Sequence, residues 1–342
     1  MNTLLKILLL LPAFILHQQA FSQYKIGTLD IYGNRQIPAS TIMYNLPVKV
    51  GDTVSRESFN VDSVAAMLMQ LPGVKHATVN PVCCDTAGNL MIYVGIGEND
   101  DCILQYNKAP VMNISLPTAM ADAYKNCSDL LDSAVIHFQS EEDDSRGYAL
   151  SAYKPAYNVQ LKFVDYANRQ FDVLNNVLKN AASDEQRAAA AQIIAYADNK
   201  KKIVDALLPA VNDTAEEVRN NATRALGILA GYANAHPQAG IVIPAGPFIK
   251  MINSIVWTDR NKGASVLMHL SKTTDATLLA TIKRQAYYSI LEMATWHDRP
   301  HAFFAFFILG HLAGMTDGEL IQKNFSPNWR VEVEAMKKLI IK

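Results

Sequence analysis

DTAEEVRNNATRALGILAG, residues 213–231, decides how the rest of the chain is read. Val218, Ala222, Leu226 and Leu229 recur at offsets of four, four and three, which sets them on one stripe of an α-helix. Asp213 and Thr214 stand where N-cap residues are expected, and Glu216 and Glu217 follow in the first turn, where carboxylates suit the positive helix end. Ala222, Ala225 and Gly227 are small enough for a second helix to approach closely. The frame then returns. Counted from Arg219-Asn220, it appears at Arg187, at Arg260-Asn261 and, more weakly, at Ala302, with offsets of 32, 41 and about 42 residues. RNNATRALGILA from Arg219 is answered by RNKGASVLMHLS from Arg260. Periods of this size predict stacked helical units in a solenoid. Recurrence at Arg187, Arg219, Asn220, Arg260 and Asn261 assigns those residues to contacts between neighbouring repeats rather than to catalysis.

Each frame is the second helix of a pair, with first helices expected over 159–180, 201–211, 246–256 and 274–296. A last helix from Ser326-Pro327 through Met336 is expected to close the open end. The stretch Asp213-x4-Val218-Arg219-x2-Ala222-x2-Ala225-Leu226-Gly227 resembles the HEAT repeat, and the resemblance extends in weaker form over about 158–314. The copies at Arg187 and Arg260 keep the arginine and lose the valine, and the Ala302 copy loses both. The resemblance implies an α-helical solenoid whose concave groove binds a protein.

Upstream, Met1 to Ser22 reads as an export signal: Lys6 is the positive flank, Ile7 to Leu16 the apolar run, and Ala20-Phe21-Ser22 the cleavage site. Ten apolar residues are too few for a bilayer, which takes about 20. The mature chain is expected to carry no membrane span and to be periplasmic, with a place peripheral to the outer membrane as the alternative. With 31 Lys+Arg against 32 Asp+Glu and a net charge of −1, no basic block tracks a phosphate backbone, so nucleic acid is not an expected partner. The four cysteines, Cys83, Cys84, Cys102 and Cys127, suit an exported chain with disulfides. Adjacent cysteines on a strand point to opposite faces, so a bridge from Cys83 or Cys84 to Cys102 or Cys127 is expected.

Residues 23–98 alternate strand and helix signals. A strand carries Ile26, Leu29 and Ile31, and helices are expected over 38–46 and 55–71. Strands follow at 74–82 and at Leu90, Ile92, Val94 and Ile96. This β-α-α-β-β order resembles the POTRA domain over about 24–98, through Leu29-x-Ile31-x-Gly33-Asn34, Gly51-Asp52, Leu71-Pro72-Gly73-Val74 and Val94-x-Ile96-x-Glu98. The resemblance implies a periplasmic module that captures an extended segment along a sheet edge. The fold class is therefore α+β then all-α: a small β-α-α-β-β head followed by a helical solenoid. The expected division is 1–22 leader, 23–98 head, 99–157 helical and acidic linker, and 158–342 solenoid with a capping helix.

Signs of chemistry are few. His297, Asp298 and His301 form the one metal-like corner, and Pro300 is expected to interrupt the helix there. His269 and His311 fall inside repeat helices. There is no G-x-S-x-G, P-loop or dinucleotide fingerprint, so no catalytic residue, cofactor or metal is assigned. The insertion at 232–246, YANAHPQAGIVIPAG, offers His236, Pro237, Ile241 and Ile243 as a partner-binding loop, or else packs between helices. The expected function is a non-enzymatic adaptor for envelope proteins, in which head and groove take separate partners. Its alternatives are a metal-dependent enzyme on the His297 corner and a structural homo-oligomer.

Overall fold

The computed structural model describes residues 23–55, 59–137 and 139–341; the expected leader lies outside them. The head runs β1 (Gln23–Tyr32), α1 (Ala39–Asn45), β2 (Thr53–Ser55), α2 (Val61–Leu68), β3 (His76–Val82) and β4 (Leu90–Gly97). Its sheet has the order β2-β1-β4-β3, with β1 parallel to β4 and the other pairs antiparallel. Two expectations are corrected here. The sheet has four strands, because Thr53–Ser55 pairs with Gln23–Lys25. The second helix starts at Val61 instead of 55, because Asn60 caps it by accepting from the Ser63 N–H at 2.9 Å.

Every residue of β4 is buried. Ile92, Val94 and Ile96 face α1 and α2 in the head's own core, with Ile42 and Leu68. Met91 and Tyr93, on the other face, belong with Tyr32 to the core of the helical region. The sheet is thus covered on both sides, by its own helices and by the solenoid.

The helical region contains α3 (Thr118–Ile136), a short hairpin of β5 (Glu142–Asp143) and β6 (Leu150–Ser151), and then eleven helices. The repeat frames are α6 (Asp184–Ile194), α8 (Glu216–Ala235), α10 (Trp257–Ser271) and α12 (Arg299–Leu312), stacked in that order. Their partners are α5 (Phe171–Asn180), α7 (Lys200–Leu207), α9 (Gly246–Met251) and α11 (Ala276–Met293). The single helix expected over 159–180 is two helices, α4 (Lys154–Arg169) and α5, broken at Gln170. Pro155 falls in the first turn of α4, so helix begins before residue 158. The end is closed by α13 (Asp317–Asn324), which the sequence reading missed, and α14 (Trp329–Ile341). A capping box of Thr316 and Glu319 starts α13.

The acidic stretch is no plain linker. Glu142 pairs with Arg224 of α8, and the hairpin lies against the helices. The cysteine expectation is also overturned: Cys83 and Cys84 lie beyond the end of β3 and bond to each other. Cys127 is a buried thiol on α3, and the Cys102 thiol donates to the Asn99 carbonyl at 3.1 Å.

Candidate interaction site

The recurring arginines form a ladder. Each sits near the start of a frame helix, is at most 2 % exposed, and binds its own incoming turn together with a carboxylate of the next unit. Arg187 donates to Ala181 O and Ala182 O at 2.9 and 3.0 Å, and to both Asp213 oxygens at 2.9 and 2.7 Å. Arg219 repeats the pattern, with Asp213 O and Thr214 O at 2.9 and 3.1 Å and the Asp259 oxygens at 2.8 and 3.1 Å. Arg260 donates to Ser254 O at 2.9 Å and to Glu292 Oε2 at 2.6 Å. A planar fork that takes both oxygens of a carboxylate fixes orientation as well as distance. Burial raises the Asp259 carboxyl above the ordinary carboxylate range, and the Arg219 guanidinium opposes that rise.

The ladder ends in the head. Glu292 accepts from the Gly33 N–H at 3.0 Å and from Arg35 Nη1 at 3.2 Å. Tyr32 lies under the Arg260 guanidinium, 4.4 Å from its ring centroid, and its hydroxyl donates to Ile255 O at 2.5 Å. Thr78 of β3 donates to the same carbonyl at 2.6 Å. Gly95 lies between them in the sheet, and a Cβ there would sit 2.2 Å from Ile255 O, so this contact requires glycine. Tyr93 packs on Trp257 and Trp296 with centroids 5.5 and 4.8 Å away, and its hydroxyl meets His301 Nδ1 at 2.7 Å. Burial drives the Tyr32 and Tyr93 hydroxyls far above their ordinary pKa, so both stay neutral. Burying each ring stabilises the contact by about 1.5–3 kcal/mol.

An extended strap, residues 103–117, joins head to α3 and visits the turns in reverse order. Cys102 O accepts from Ile255 N at 3.2 Å, Asn107 N donates to Asn212 O at 2.7 Å, and Met112 exchanges bonds with Asn180 O and Ala182 N at 3.0 and 2.8 Å. Tyr106 of the strap stacks under Arg219, 4.4 Å from its ring centroid.

The other residues singled out in the sequence separate. Asn220 is not a stacking residue; its neighbour Asn221 is, with Nδ2 donating to Ala188 O of α6 at 3.1 Å. Asn261 is buried with its Oδ1 unpartnered, and the bridge at this rung is the one Arg260 makes to Glu292. In the insertion, Ile243 is buried and Ile241 packs on the core, while Pro237 is exposed and His236 stacks on Tyr232 at 4.1 Å. Pro300 does not interrupt a helix. It occupies the first turn of α12, behind the Asp298 cap. His297 turns away to Asp30, 2.7 Å from Nδ1, while His301 faces Tyr93. No group of three metal-ligating side chains occurs among the described residues.

One arrangement has the atoms of a Ser–His–Asp relay. Ser271 Oγ lies 2.8 Å from His311 Nδ1, and His311 Nε2 lies 2.8 Å from Asp317 Oδ1. Ser271 is 1 % exposed and also reaches Met268 O at 3.0 Å, so it is not presented to a substrate. The trio ties α10, α12 and α13 together.

Residues 171–239 match the family of HEAT repeats. They span α5 to α8 and hold two of the three ladder arginines. No curated protein matches the sequence. An engineered protein of known crystal structure aligns over 64 % of this chain and 94 % of its own, with 18 % identity and a TM-score of 0.36, too low to support any argument. The chain thus has a helical-repeat region, matched by HEAT repeats over 171–239, behind a small mixed sheet.

Proposed function

We infer that the chain is a non-enzymatic protein-binding scaffold that works outside the cytoplasm. The HEAT repeats support protein binding as the activity, since stacked helix pairs offer extended surfaces to partners. The apolar leader supports export, and the order of strands and helices supports a POTRA-like head. The reading differs from two modules on a flexible joint, because head, strap and solenoid share one core.

The observation that carries it is the open edge of β3. No strand pairs with its outer side among the described residues, while its Thr78 already touches the solenoid turn at Ile255. Pro81 is tolerated there because its missing N–H faces outward. By the two-residue alternation, the Ala77 and Val79 N–H groups face the same way. A partner segment adding to this edge would find unpaired donors beside a helical surface. Ala77→Pro removes one of those donors. The intact protein is expected to retain envelope proteins in a pull-down and the variant, at unchanged melting temperature, to lose them. Equal retention by both would refute edge capture.

A further inference from the structure

The C-terminal turns of α8 and α10 and the side of α12 from Phe303 to His311 line a groove of about 620 Å³ beside the 232–246 insertion. Tyr232, Phe303 and Phe307 supply aromatic surface, with Phe303 and Phe307 4.5 Å apart between centroids. Asp144 of the hairpin loop and Asp317 of α13 supply carboxylates. Asp317 is already used, by Lys272 at 2.5 Å and by His311. Asp144 is exposed and makes no ion pair among the described residues. Gly231 leaves room for His269, whose ring would lie 3.1 Å from a Cβ there.

Three physical terms favour a positive charge in this groove. Helix C-termini carry partial negative charge, so the ends of α8 and α10 side by side attract cations. Aromatic faces attract a guanidinium or ammonium by about 0.5–2 kcal/mol. The two lining carboxylates outnumber the one lysine, and burial pushes the His269 and His311 rings below their ordinary pKa and keeps them neutral at pH 7.5. Lys272 shows that the groove accommodates a cation, since it stands at the end of α10 and reaches Asp317.

We propose that this groove is a second docking site, one that receives an arginine or lysine side chain of an extended partner segment between Asp144 and the Tyr232, Phe303 and Phe307 rings. The assignment rests on the reading of the chain as a protein-binding scaffold and names what one face recognises. It is physically separate from the β3 edge, so the two can be tested apart.

The probes are two fluorescein-labelled peptides of the same Ala- and Leu-containing sequence, one with a central Arg and one with Glu in its place. Fluorescence anisotropy on the full chain should show saturable binding of the Arg peptide, weakening as salt rises, and none of the Glu peptide. Asp144→Asn and Phe303→Ala should each weaken Arg-peptide binding at least tenfold with α-helical circular dichroism unchanged, while Ala77→Pro leaves it untouched. Asp144 is exposed, so its variant tests the charge without threatening the fold. Equal binding of both peptides, no binding of the Arg peptide up to 1 mM, or unchanged affinity in Asp144→Asn would overturn the proposal. Loss of envelope capture in Ala77→Pro alongside intact Arg-peptide binding would separate the edge from the groove.

Discussion

Asp259→Ala tests the ladder at its middle rung. The Arg219 guanidinium makes four hydrogen bonds, and two of them end on Asp259, whose side chain is 0 % exposed. Truncating Asp259 leaves a buried cation held only by two carbonyls and the Tyr106 ring. Breaking one partner of a buried pair costs about 3–5 kcal/mol, because the remaining charge stays desolvated. At about 2.1 cal/mol/K of unfolding entropy per residue, a chain of this size has an unfolding entropy of about 0.7 kcal/mol/K, so a loss of 4 kcal/mol lowers the melting temperature by about 6 °C. Thermal melts by circular dichroism at pH 7.5 measure it. Removing both charges in Arg219→Met/Asp259→Leu should cost clearly less than the two single variants together, since no buried charge is stranded. A loss under 1 kcal/mol for Asp259→Ala, or full additivity in the double variant, would refute the ladder as a source of stability.

Three further outcomes are expected. Tyr93→Ala empties the space between Trp257 and Trp296 and should cost about 3–5 kcal/mol, read from the urea midpoint. His269, His301 and His311 all have folded pKa values pushed below the unfolded one, chiefly by burial. The unfolded chain therefore binds more protons, and stability should fall as pH drops below about 6.5, by up to about 1.4 kcal/mol per pH unit for each proton; a melting temperature as high at pH 5.5 as at pH 7.5 would contradict this. Burial lifts the Cys127 thiol to about 12, so iodoacetamide should leave Cys127 unmodified in the native protein and alkylate it in urea, while peptide mapping recovers Cys83 and Cys84 joined to each other.

Repetition made the solenoid legible, because four apolar stripes at similar spacing have few other solutions. Arg187, Arg219 and Arg260 were legible for the same reason. Their carboxylates were not, since Asp213, Asp259 and Glu292 lie 26, 40 and 32 residues downstream, separations set by stacking and by no local period. Asn220 recurs as Asn261, yet Asn221 stands three residues after Val218 and four before Ala225, on the buried stripe. The helical period is the better guide.

Docking of the head left one signal in the sequence. Met91 and Tyr93 stand between Leu90, Ile92 and Val94, so both faces of the strand are apolar there. An unbroken apolar run marks a strand buried on both sides. Asp298 followed by Arg299-Pro300 likewise marks a helix start. The strap had no such signal: its hydrogen bonds to the turns run through the backbone, so residue identity hardly records them.

The central claim is that head, strap and repeats form one body. Its direct test is a distance between spin labels at Tyr44→Cys in α1 and Val173→Cys in α5, both exposed positions, in a Cys102→Ser background. Serine keeps a donor for the Asn99 carbonyl. Double electron–electron resonance should give one narrow distribution, and Tyr32→Ala/Tyr93→Ala should broaden it. A broad distribution in the otherwise native chain would mean that the head swings on the strap, and the account would fail.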